Sequence, residues 1–278
     1  MSKPEEEFDD LDASRAPLLD HLIELRTRLL YSVVAIAIAF GACFYFANDI
    51  YNILLVPYER AAGDTTELKV IFTAPQEYFF TQLKLALFGA FFLAFPILAS
   101  QIYMFVAPGL YKNERGAFLP YLVATPVLFA AGAALVYFLI MPLALGFFLS
   151  MQQSAEEGKV AIELLPRVSE YLGLIMTLIF AFGLCFQLPV ALSLLGRAGL
   201  VTSKQLKSGR KYAIVGIFVF AAILTPPDII SQVGLGVPTL LLYEISILSV
   251  SMIERRRREA REEDEEERGP YEDEKTDL

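Results

Sequence analysis

The sequence predicts an all-α, polytopic membrane protein with six transmembrane helices, both termini in the cytoplasm, and short fifth and sixth helices. Three observations lead there. Hydrophobic residues fill 55% of the 278 positions, and the mean hydropathy is +0.50, above what a soluble domain carries. The apolar residues gather in six runs, near 29–47, 77–106, 118–142, 168–195, 211–225 and 232–252. A span needs roughly 20 such residues to cross ~30 Å of hydrocarbon. Lastly, the basic residues are unevenly distributed between the loops that these runs define.

The elements follow in order. Residues 1–14 hold six acids against Lys3, a net of −5. A cleavable signal would start with a basic segment, so none is expected here. Residues 1–16 read as a disordered acidic tail. From Leu18 the apolar positions 18, 22, 25 and 29 form one helical stripe, while Asp20, Glu24, Thr27 and Arg28 face the other way. The second and fourth runs are long and hold Pro96 and Pro189, and Pro126 and Pro238 lie in the third and sixth. Proline inside a span usually means a tolerated kink. The fifth run, "YAIVGIFVFAAILT", has 14 residues. At ~1.5 Å each they reach only ~21 Å. Glu244 interrupts the sixth. Residues 254–278 read as a second charged, mostly acidic disordered tail: eleven acids lie between 259 and 278, a net of −8, after the basic run "ERRRRE" at 254–259, which suits anionic headgroups. Removing residues 1–14 and 259–278 from the total charge of −9 leaves +4, so the negative charge is a property of the tails, and the six-helix domain, 17–253, is itself balanced.

With six spans both termini share a side, and 18 of the 23 Lys and Arg lie on it against 5 on the other. Positive residues stay inside, which puts the termini in the cytoplasm. The loops near 48–76 and 143–167 are then external. The acidic tails argue against a nucleic-acid partner.

Catalytic signatures are scarce. His21 is the one histidine and falls outside the apolar runs. No HExxH, GxGxxG or P-loop pattern occurs, so neither an enzyme nor a cofactor or metal site is expected. Cys43 and Cys185 sit in apolar runs and read as packing residues. Ionisable and polar groups in the spans carry more information. Glu244 lies among "LLLY" and "ISIL", as a functional carboxylate or a polar packing contact. Gln187, in "AFGLCFQLPV", suits an interhelical hydrogen bond, and Asp228, after "LTPP", suits a helix N-cap. On the cytoplasmic side Glu24 precedes Arg28 by four residues, the favourable order for an ion pair. Glu114, between Lys112 and Arg115, reads as surface.

Six stretches, in one order, resemble the TatC family, the multi-spanning receptor component of the twin-arginine protein translocase. They are "PLLDHLIELRTRLL" (17–30), "TAPQEYFFTQLKL" (73–85), "FVAPGLYKNERG" (105–116), "AFGLCFQLPVAL" (181–192), "LTPPDIISQ" (224–232) and "YEISI" (243–247). The resemblance implies a non-enzymatic protein that binds the signal peptides of folded cargo through a pair of arginines. It implies TatA-like and TatB-like single-span partners, transport driven by the proton-motive force, and self-association in a receptor complex within membrane lipid. It places Glu24 and Glu114 in the signal-peptide site, with Phe105 near them and His21, Leu25 and Tyr111 lining it. It places Gln187, Asp228 and Glu244 where partner helices dock. Gln187 departs from the glutamate that family members often carry. The alternative reading is a small-molecule secondary transporter with a polar site in the bundle, for which the cytoplasmic acids would be dispensable. A second alternative is an intramembrane enzyme built on a span carboxylate.

Overall fold

The computed structural model describes residues 5–63, 69–106, 115–153, 164–225 and 229–268. Among them the structure is helical: α1 (Glu5–Tyr45), α2 (Ala47–Ala62), α3 (Pro75–Val106), α4 (Arg115–Leu135), a π-helical turn (Val136–Ile140), α5 (Met141–Leu149), α6 (Val168–Cys185), α7 (Leu188–Arg197), α8 (Ser203–Leu224) and α9 (Ile229–Arg268). No strand is formed among them. An isolated parallel bridge pairs Ile71 with Arg167.

Among the described residues, five stretches are long and apolar enough to span a membrane: 21–45, 75–105, 120–149, 168–197 and 229–260. They cover five of the six expected runs. The remaining run lies in α8, whose 22 residues begin at Ser203, nine positions before the apolar stretch opens at Tyr212. Its first turns carry Lys204, Lys207, Arg210 and Lys211, which lower its hydropathy. α9 runs on as helix to Arg268. The boundary drawn at 253 therefore marks a change from apolar to charged composition within one helix.

The chain divides into two compact units, residues 1–127 with 163–176, and 128–162 with 177–278. In the first, α1 packs on α3 along an alanine seam. Ala39, Ala90 and Ala94 are buried, flanked by Ala35, Ile36, Phe40 and Leu98. Small side chains let two helix backbones approach where lipid provides no hydrophobic drive. Gly89 continues the seam: a Cβ there would lie 3.1 Å from Cys43 Sγ. α2 ends at Gly63, whose φ of 70° is left-handed, and the Gly63 N–H donates to Glu59 O at 3.2 Å. Side-chain bonds stitch the end of this unit farthest along α3 from Phe105. Glu77 Oε2 accepts from Thr73 N at 2.8 Å, and its Oε1 accepts from Ser169 Oγ at 2.6 Å. Tyr171 is buried and donates to Leu54 O at 2.8 Å.

In the second unit, prolines shape the helices. Pro189 has no N–H and its ring would strike the carbonyl of residue 185, so the helix breaks just before it. Phe186 and Gln187 form a turn in which Gln187 N–H donates to Leu184 O at 2.9 Å, and α7 restarts at Leu188. Pro142 follows the wide π turn, which makes room for its ring. Two glycines permit close crossing. A Cβ on Gly132 would lie 2.7 Å from Phe182 O, and one on Gly183 would lie 2.5 Å from the Phe129 ring. Thr202 and Gln205 form a capping box that starts α8. Glu254 of α9 accepts from Ser203 N at 2.9 Å and from the Ser203 hydroxyl. Leu206, Ile247 and Val250 form the α8–α9 core. Both cysteines are free and buried.

Candidate functional site

The segment of α1 from His21 to Arg28 lies beside the end of α3. His21 stacks on Phe105 with ring centroids 4.3 Å apart and an interplanar angle of 17°. Glu24 is one turn further along α1, on the same face as His21 because residues three apart share a face. Its Oε1 accepts from Arg28 Nη2 at 3.1 Å, and the two side chains keep 30% and 28% of their surface exposed. Arg28 Nη1 turns to α3 instead, donating to Gln101 Oε1 at 3.4 Å and to Met104 Sδ at 3.3 Å. Leu25 is 41% exposed. So four of the expected residues, His21, Glu24, Leu25 and Phe105, occupy one corner of the first unit. Tyr111 and Glu114 lie outside the described residues.

The expected intramembrane polar residues fall in the second unit. Gln187 sits at the α6–α7 break and its Nε2 donates to Gly183 O at 3.3 Å. Glu244 Oε2 accepts from Arg210 Nη2 of α8 at 2.7 Å, with both side chains about half exposed. Asp228 lies outside the described residues. Among the described residues no group of His, Cys, Asp and Glu is arranged to hold a metal ion.

The comparisons with known proteins match this architecture. A family model described as "Sec-independent protein translocase protein (TatC)" covers residues 20–238. The chain belongs to the TatC family. A Magnetococcus marinus protein named Sec-independent protein translocase protein TatC is 49% identical over 245 residues, 88% of each chain. Proteins of that name from Rickettsia prowazekii and Escherichia coli K12 are 43% and 38% identical, over 84% and 83% of this chain and 92% and 86% of theirs. A crystal structure described as the twin arginine translocase receptor TatC superposes with a TM-score of 0.71 at 39% identity, covering 84% of this chain and 99% of its own. The protein is therefore a multi-spanning membrane protein of this family.

Within the TatC frame the structure adds residues that sequence reasoning left out. Gln101 and Met104 reach the Glu24–Arg28 pair across 73 and 76 positions of sequence. No local pattern announces them. Gln101 did carry one signal, as a polar side chain near the end of a long apolar run. Arg210 likewise becomes the partner of Glu244 across 34 positions.

Proposed function

We propose that the protein is the signal-peptide receptor and core scaffold of the twin-arginine translocase, exporting folded cargo with the proton-motive force. One observation carries the reading: a single turn of α1 presents both the Glu24 carboxylate and an imidazole stacked on Phe105. A guanidinium has a planar fork that a carboxylate accepts on both oxygens, and a flat face that suits an aromatic surface. A lysine ammonium has neither. The second carboxylate called for by a pair of arginines is Glu114, with Tyr111 and Leu25 completing the lining.

The Lys and Arg distribution, 18 against 5, supports cytoplasmic termini and puts this corner on the side where cargo is made. α8 serves as the sixth span, because 22 helical residues reach ~33 Å even though its apolar part is short. Gln187, Asp228 and Glu244 are the polar docking points for TatA-like and TatB-like single-span partners. For Gln187 that role is hydrogen bonding rather than titration. The transporter alternative gains nothing from relatives that are translocase proteins.

The test is photocrosslinking of labelled signal peptides to the protein in membranes. Arg-Arg peptides are expected to crosslink well and Lys-Lys peptides poorly, with Glu24→Ala and Glu114→Ala each reducing the Arg-Arg product. Equal labelling by both peptides, unaffected by either substitution, would sink the assignment.

A further inference from the structure

Glu24 is already occupied. A guanidinium is the group it is proposed to receive, and in this structure it holds one supplied by its own helix. Three features of the contact bear on what Arg28 does there. It engages one carboxylate oxygen, Oε1, through one nitrogen, Nη2, at 3.1 Å. It is an i,i+4 pair with about 70% of each side chain covered, so it is weak in kind and only partly shielded from water. And the other terminal nitrogen of Arg28 already rests on α3, against Gln101 Oε1 and Met104 Sδ.

We propose that Arg28 is a displaceable internal occupant of the signal-peptide site, and that Gln101 is the acceptor onto which it withdraws. The inference rests on the receptor reading of Glu24. An empty carboxylate at a half-covered helix threshold would be left without a counter-charge. Arg28 satisfies it between visits and keeps lone lysines and inorganic cations from competing strongly. An arriving arginine that forks onto both oxygens makes a stronger contact than the single-nitrogen pair it replaces. Arg28 then loses one bond and keeps two acceptors on α3, so the exchange is nearly balanced. Gln101 acts through Arg28, as a positioning residue, and does not itself touch the peptide.

This arrangement gives opposite signs to two roles that are usually confused. If Arg28 competes, removing it tightens peptide binding. If Arg28 merely holds Glu24 in shape, removing it loosens binding. The experiment titrates a synthetic Arg-Arg signal peptide against full-length protein in nanodiscs and reads the apparent Kd. Arg28→Gln is expected to lower Kd about twofold, the factor that a surface i,i+4 pair is worth. Arg26→Gln removes an equal charge from the same helix, and its smaller gain measures the general electrostatic part. Arg28→Lys keeps the charge without the fork and falls between Arg28→Gln and the unmodified protein. Gln101→Leu takes away the resting place and raises Kd, but does so only while Arg28 is present. In an Arg28→Gln background the Gln101→Leu effect disappears, as it must when one residue acts through the other.

Weaker binding by Arg28→Gln overturns the proposal, as does an Arg28→Gln gain no larger than that of Arg26→Gln. A Gln101→Leu effect that persists in the Arg28→Gln background overturns it too, and makes Gln101 a direct contact. The Glu24→Gln variant separates this failure from that of the underlying reading. If Glu24→Gln leaves Kd unchanged, the receptor assignment itself falls. If Glu24→Gln abolishes binding while Arg28→Gln weakens it, only the exchange falls.

Discussion

Gly132 gives the sharpest stability prediction. A Cβ placed there would sit 2.7 Å from Phe182 O, 2.9 Å from Phe182 C and 3.0 Å from Gly183 N. All three are backbone atoms, so no side chain can rotate away. Relieving the clash requires α4 and α6 to separate by several tenths of an ångström, which also disturbs the Gly183–Phe129 contact. Over-packing of this kind costs ~1–3 kcal/mol. At ~2–4 °C per kcal/mol for a chain of this size class, Gly132→Ala is expected to lower Tm by ~2–12 °C. Gly146→Ala is the control, because a Cβ there meets nothing within 4 Å. It also replaces glycine inside a helix by alanine, which favours the helix by ~0.5–1 kcal/mol. The assay is thermal unfolding in detergent, read by a thiol-reactive fluorophore. Cys185 is buried in the same unit as Gly132, and Cys43 is buried in the other, so single-cysteine variants report each unit separately. The Cys185 transition should shift down in Gly132→Ala and stay level or rise in Gly146→Ala. Equal shifts in the two variants would refute the steric argument.

Other expectations come from the ends and flanks of α8. Glu254→Ala removes the acceptor for both Ser203 donors at the first turn of α8; the expected cost is ~1–2 kcal/mol, seen as faster hydrogen exchange in the first turn of α8. Arg210→Glu puts two carboxylates together where Arg210 and Glu244 now pair at 2.7 Å. It should lower stability, and the exchange Arg210→Glu with Glu244→Arg should recover most of the loss. Because both side chains are about half exposed, the coupling in that cycle should be modest, ~0.2–1 kcal/mol.

Much of this architecture was legible because hydropathy and proline act locally. Five of the apolar runs are helices of spanning length, and the α6–α7 break lies two residues before Pro189. The helix α2, by contrast, falls in what reads as a loop between spans, since only 16 residues separate Ala47 from Ala62 inclusive and its composition is mixed. The start of α8 was also hidden. Its capping box is visible at Thr202 and Gln205, but the basic residues that follow resemble a loop. At the site, the Glu24–Arg28 pair could be read from a spacing of four. The contacts of Arg28 with Gln101 and Met104 could not, because which faces of α1 and α3 meet is set by an alanine seam rather than by any charge pattern. Glu244 shows the same limit. Its depth in an apolar run marks it as unusual, but its partner is named only by how α8 folds back on α9.

The stitches around Glu77 and Tyr171 have a bearing on how the protein is made. Glu77 meets Ser169 across 92 residues, and Leu54 meets Tyr171 across 117. The first unit is discontinuous in sequence, since residues 163–176 complete what 1–127 begin. During synthesis α1, α2 and α3 therefore reach the bilayer with one edge open. It closes only when the chain has laid down the first part of the other unit and come back. A ribosome stalled shortly after α5 would leave a protein whose corner at Glu24 is built while the opposite end of the first unit is still unsealed. Assembly in this order makes the start of α6 the checkpoint at which the first unit is complete.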